Sequence, residues 1–229
     1  FIMRFFKKIL MFTFIIMIVT SQSAFCKIIK KDIMVQTKDA HIIKATLTYN
    51  QSSKKKYPTV LLLHSLGYSS KSWGDLVSYL NKAGYAVIAM DLRGHGRSVY
   101  DSKLHQHSWV YFKPKAYQRF PSDAVAILNQ AAKTSKIVSI NNYAIVGADL
   151  GANTAILAAR QMKYKPKAMA LICPSINFKG LYVPIKLTEI GTVPILAMAS
   201  KQDGYSMGQE RLVARFAQGA FYVKNYCAC

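Results

Sequence analysis

Tyr143-Ala144-Ile145-Val146-Gly147-Ala148-Asp149-Leu150-Gly151-Ala152-Asn153 is the stretch that decides the fold. A short, continuous apolar run is what a strand covered on both faces requires. Here it breaks into Gly-x-Asp-x-Gly, a spacing that suits a tight turn built from small residues. The alanine-rich segment behind it, Ala152 to Met162, has helical composition. The reading is strand, sharp bend, helix, with Asp149 at the bend.

Working outward, strands and helices alternate along the chain. Lys27 to Val35 and His41 to Tyr49 have strand composition and join across Lys38-Asp39, as an antiparallel edge hairpin would. Ser52 to Tyr57 is a polar lysine loop, and Thr59 to Leu63 a buried strand. Lys71 to Ala83 predicts a helix with Trp73, Leu76, Val77 and Leu80 on one stripe, stopped at Gly84. Tyr85 to Met90 is the next strand, and Ser122 to Lys133 a helix with Ser122 as its cap. Strands at Ala168 to Ile172, Val193 to Ser200 and Phe221 to Asn225 follow, with a helix over Gln209 to Phe216 between the last two. Such alternation implies an α/β fold with a mostly parallel central sheet and helices on both faces.

Three further motifs stand at the carboxyl ends of expected strands, where open parallel sheets place their ligand sites. His64-Ser65-Leu66-Gly67 follows the strand at Thr59, and Asp91-Leu92-Arg93-Gly94-His95-Gly96-Arg97-Ser98 follows the strand at Tyr85. Asp203, in Ser200-Lys201-Gln202-Asp203-Gly204, follows the strand at Val193.

In this order the motifs resemble those of the α/β-hydrolase superfamily, near dienelactone hydrolase and esterase-type members. The resemblance spans about residues 27 to 225. Gly147 to Asn153 resembles the nucleophile elbow, with Asp149 where the family has serine. His64 to Gly67 resembles the oxyanion loop, with Ser65 in place of a glycine, so the resemblance assigns the backbone N–H groups of Leu66 and Leu150 to the oxyanion hole. Asp203 takes the position of the catalytic acid. The Asp91 to Ser98 signature is structural in the family, which makes His95 a turn residue. Lys27 to Cys229 is then one α/β-hydrolase domain, whose roughly twenty residues between Cys173 and Val193 leave room for a minimal lid only.

The departures from the family bear on activity. A serine nucleophile works because a histidine takes its proton. All five histidines, His41, His64, His95, His105 and His107, precede Asp149, whereas the family's base comes last. The resemblance places it just after the strand at Phe221, so the expectation is a domain truncated at its C-terminus, with the histidine beyond Cys229. Three functions stay open: hydrolysis of a small ester or lactone, impaired in this chain; a non-catalytic binding protein on the same fold; and displacement by an aspartate nucleophile, as in haloalkane dehalogenases and epoxide hydrolases. The last is disfavoured by Leu150, where those enzymes have an aromatic residue, and by the short lid.

At the amino end, Arg4, Lys7 and Lys8 precede the uncharged run Ile9 to Val19 and then Ala24-Phe25-Cys26. That layout reads as a signal peptide over residues 1–26, with Met3 as the start and an exported product; an uncleaved membrane anchor is the alternative. The net charge of +21 is scattered lysine with no nucleic-acid-binding motif, leaving weak contact with an anionic surface as the charge-driven expectation. Cys173 ends a strand and is expected to be buried, while Cys227 and Cys229 are too close for a redox or zinc pair. His105 and His107 read as surface residues without a carboxylate grouping. The expected partner is a small molecule; no metal or cofactor is indicated, and Tyr100, Trp109, Tyr111 and Phe112 are left to cover the pocket or pack in the core.

Overall fold

The structure, a computed structural model, describes residues 27–51 and 56–226. The expected signal peptide, Ser52 to Lys55 of the lysine loop, and Cys227 and Cys229 lie outside the described residues. Ten strands form: β1 (Ile28–Gln36), β2 (Ile42–Asn50), β3 (Tyr57–Leu63), β4 (Ala86–Asp91), β5 (Val138–Ala148), β6 (Ala168–Ile172), β7 (Asn177–Phe178), β8 (Leu181–Tyr182), β9 (Ile195–Ser200) and β10 (Phe221–Tyr226). The α-helices are α1 (Gly74–Lys82), α2 (Pro114–Tyr117), α3 (Phe120–Thr134), α4 (Leu150–Gln161), α5 (Pro184–Thr188) and α6 (Gly204–Ala214).

Eight strands make one sheet in the order β1-β2-β4-β3-β5-β6-β9-β10, and β7 and β8 form a separate small hairpin. β1–β2 and β2–β4 pair antiparallel; every other pair in the large sheet is parallel. The α/β expectation and the edge hairpin both hold. Each strand's burial follows its neighbours. β2 alternates, sending Ile43, Ala45, Leu47 and Tyr49 inward, as a strand near the edge should. β4 sits further in and is buried along its whole length.

Two cores flank the sheet. In β3, Leu61 and Leu63 join Ile88 and Met90 of β4 against Phe120, Ile127 and Ile156 of α3 and α4. Val60 and Leu62 point the other way, with Val87 and Ala89, to Trp73 and the predicted stripe Leu76, Val77 and Leu80 on α1. Each such fully buried aliphatic side chain contributes about 1.5–3 kcal/mol from area removed from water.

Some details differ from the sequence reading. Helix α3 starts two residues early, with Arg119 at its N-cap position making no side-chain cap and Pro121 in its first turn, because Phe120 is drawn into the core. Ser122 is therefore not its cap, and its hydroxyl donates to Gln161 Oε1 at 3.0 Å. The loop after β4 is richer than expected: Tyr100 bridges Gln106, and a 3₁₀ turn spans Trp109–Tyr111. Trp109 and Phe112 are half-buried and Tyr100 and Tyr111 exposed, so this group is divided between packing and solvent. Among the described residues no helix is long and apolar enough to cross a membrane.

Chain order reverses between β3 and β5, since β4 lies on one side of β3 and β5 on the other. Leu63 pairs with Gly147 there, which brings the loop at His64 and the bend at Asp149 side by side. An open sheet has its natural crevice at this switch point.

Candidate functional site

Asp149 sits between β5 and α4 with φ 52° and ψ −111°, a conformation that non-glycine residues adopt at a cost. The bend is held from both sides. Its N–H donates to the Ile172 carbonyl at 2.8 Å, and its own carbonyl accepts from Ala152 N at 3.0 Å. The two flanking glycines are obligatory for packing. A Cβ on Gly151 would lie 2.0 Å from the Leu63 oxygen, and one on Gly147 would lie 2.4 Å from the Gly151 oxygen. The sharp strand-to-helix turn read from the sequence is thus present.

The side chain of Asp149 turns toward the His64 loop. Its Oδ2 accepts from Leu66 N at 3.3 Å. Burial raises its pKa above the ordinary aspartate value, while hydrogen bonds from the Leu150 and Leu66 amides work in the opposite direction. The two N–H groups assigned by the resemblance therefore converge, and the carboxylate of residue 149 is what they converge on.

The loop is rigid because His64 anchors it. His64 is buried; its Nδ1–H donates to the Ser65 carbonyl at 2.7 Å, and its Nε2 accepts from Leu92 N at 3.0 Å. Gly67, at φ 79°, leaves room for the Trp109 ring, which would stand 3.2 Å from a Cβ there.

Asp203 lies just past β9, as expected, and is exposed. It caps α6: Oδ1 accepts from Ser206 N at 2.9 Å, and Oδ2 accepts the Ser206 hydroxyl. These Ser206 bonds lower its pKa. Cys173 is near enough to both aspartates to feel their charge. It is half-buried rather than buried, because φ 51° at the strand end turns it out of the core. Burial raises the pKa of its thiol, a hydrogen bond with Ser206 opposes this, and Asp203 and Asp149 add repulsion. Cys173 and Ser206 are the members of this cleft that sequence reasoning missed. An Asp-x-x-Ser cap was legible at 203–206; the position of Cys173 was not.

The histidines serve other places. His41 Nε2 is 2.8 Å from the Ser98 carbonyl. His95 is buried, stacked on Trp109, with Nδ1 donating to the Arg93 carbonyl at 2.9 Å. Burial pushes its pKa down to about 4. His105 and His107 do have a carboxylate between them, contrary to expectation: both rings reach Asp101 Oδ2 at 3.1 Å, because the chain folds back at Tyr100–Gln106.

The Asp91 to Ser98 turn is structural, as the resemblance implies. Arg93 is 5% exposed and Asp123 3%, joined by contacts of 2.7 and 2.8 Å, with Asp39 on the guanidinium's other edge. Burial opposes the charge on Arg93, but these partners outweigh it and hold its pKa above the ordinary value. A cavity of about 450 Å³ lies beside this network, lined by Thr37, Asp39, Arg93, Arg119 and Asp123. It does not include Asp149, and the motif-bearing strand ends are the better candidate. Among the described residues no group of three or more His, Cys, Asp or Glu is placed to hold a metal ion.

Residues 54–212 match the family described as serine aminopeptidase, S33. No curated protein matches the sequence significantly. Among solved structures, the chain is similar to an acetyl xylan esterase from Paenibacillus sp. R4, with TM-score 0.73 and 14% identity over 90% of this chain and 80% of that one. It is similar to a highly thermostable carboxyl esterase from Bacillus coagulans, with TM-score 0.67 and 13% identity over 87% and 90%. A putative dienelactone hydrolase from Klebsiella pneumoniae gives TM-score 0.63 and 15% identity over 87% and 85%. At these identities the structural likeness is one of fold.

Proposed function

The chain belongs to the α/β-hydrolase family described as serine aminopeptidase, S33, and we propose that its cleft binds small ester or lactone-type molecules while turnover through residue 149 is impaired. One observation carries this reading: Asp149 Oδ2 already accepts the Leu66 N–H. In acyl transfer that donor and its Leu150 partner would stabilise the developing oxyanion, at about 3 kcal/mol per donor. A carboxylate there competes for the donors and repels an incoming negative charge. Its attack on an ester would yield only a reactive anhydride, and the five histidine rings are engaged elsewhere.

The test is steady-state hydrolysis of p-nitrophenyl acetate by the full chain. Rates should stay linear in ester and close to buffer; saturable turnover that disappears in Asp149→Asn would overturn the reading. Export belongs to the same proposal, supported by the basic-then-apolar order of residues 4–19. A secreted product whose amino terminus has been processed checks it, and an unprocessed cytosolic chain would contradict it.

The same contact favours a second reading. A carboxylate anchored through one oxygen is the geometry for displacing halide from an alkyl carbon: the O–C bond forms, the C–halogen bond breaks, and halide leaves. With no imidazole beside it among the described residues to activate water, the alkyl ester would persist. A stable mass addition at Asp149 after exposure to an alkyl bromide selects this reading, and an unmodified Asp149 excludes it.

A further inference from the structure

We propose that the loop rim beside Asp149 is a docking surface for an anionic lipid bilayer, from which the cleft would draw lipid-borne acyl esters. Tyr68 is 63% exposed, Val110 62% and Tyr111 84%. The loops carrying them touch at their bases, since the Trp109 ring packs on Gly67 and stacks on His95 with centroids 5.4 Å apart. Tyr68 and the Val110–Tyr111 pair are therefore carried exposed on two touching loops, Tyr68 two residues beyond the Leu66 amide that holds Asp149. Grouped exposure of this kind marks an interaction site rather than ordinary surface.

Lysine outweighs carboxylate around them, although Asp75 and Asp203 are exposed in the same segments. Lys71, Lys113 and Lys115 flank the patch, all exposed, and none pairs with a carboxylate among the described residues. On the segment that follows β9, past Asp203, Tyr205 is 71% exposed, with exposed Lys201 nearby in sequence. The net charge of the whole chain is +21. Aromatic and aliphatic tips interleaved with lysine suit the headgroup level of an anionic membrane, where the tips enter and the ammonium groups stay with the phosphates. A soluble polyanion would use the lysines and leave the apolar tips without a role.

The inference rests on the proposed function only for the identity of the cleft, and its test reads binding, so either can fail alone. The full chain is mixed with phosphatidylglycerol vesicles whose acyl chains are brominated, and tryptophan fluorescence is followed. The chain has two tryptophans, and Trp109 is the one at the rim while Trp73 lies in the core. Quenching reports where the protein docks, whatever residues 1–26 do. Expected is quenching by anionic vesicles but not by brominated phosphatidylcholine, falling at least fivefold in the Val110→Ser, Tyr111→Ser double variant, whose changed side chains are exposed. No quenching, equal quenching in the variant, or equal quenching by phosphatidylcholine overturns the proposal. So does binding to soluble polyglutamate without quenching by vesicles, which would assign the lysines to a polyanion.

Discussion

The Leu66 amide and the Asp149 carboxylate, 83 positions apart in sequence, meet at 3.3 Å across the switch point of the sheet. Two features of the backbone make the meeting unavoidable: Leu63 pairs with Gly147, and Gly151 lets α4 begin against the end of β3. The scaffold thus brings the end of β3 and the start of α4 close enough for the Asp149 carboxylate to take up the Leu66 amide.

Burial is the largest influence on Asp149 and raises its pKa. For a carboxyl group raised on folding, the favourable contribution is complete below the unfolded value and is lost as pH rises through the folded one. Asparagine keeps a side-chain oxygen for the Leu66 amide and tolerates a positive φ without a charge to bury. Asp149→Asn should therefore gain stability relative to the wild type as pH rises from 4 to 7.5, checked by urea unfolding. A pH-independent difference would contradict the assignment.

At Gly151 a methyl group has nowhere to go, since the obstructing atoms are the backbone oxygens of Leu63 and His64. Gly151→Ala should cost about 3 kcal/mol or more, read as a drop in Tm. A variant of wild-type stability would show that the bend is looser than described.

The Arg93–Asp123 pair is buried, and removing one partner strands the other. Asp123→Ala should destabilise by about 3 kcal/mol, partly relieved by Asp39. The double change Arg93→Met, Asp123→Leu should recover some of that loss, because the stranded charge is gone. Denaturant midpoints for the three proteins check both statements.

His95 gives an acid-sensitive term. Burial lowers its pKa to about 4 from 6.5, so the folded protein refuses a proton that the unfolded chain takes up. The stability it contributes is complete above pH 6.5 and drains away as pH falls toward 4, on the order of 3 kcal/mol over the whole window. His41 and His64, also lowered chiefly by burial, act in the same direction. Unfolding free energy should fall between pH 7 and 5, and fall less in His95→Gln.

How far the sequence carried depended on whether a feature was local. The strand expected at Ala168 to Ile172 is found with those limits, because an unbroken apolar run between loops has one reading. The strand expected at Tyr143 to Val146 runs from Val138, since Asn141 and Asn142 are exposed yet the backbone still pairs, through an irregularity, with Tyr57 and Thr59. The bend at Gly147–Gly151, the loop at His64 and the position of Asp203 were legible as motifs with an order. Their contents were not. Nothing local says that the Asp149 side chain folds back on Leu66, that Cys173 turns outward, or that Asp101 gathers two histidines.

The most direct measurement follows the amide proton resonances of Leu66 and Leu150 in an isotopically labelled chain from pH 3 to 8. Both should shift together with one midpoint above the ordinary aspartate pKa, and both should stop titrating in Asp149→Asn. Amide resonances that ignore pH, or that titrate unchanged in the variant, would mean that the carboxylate is elsewhere and the donor pair is open.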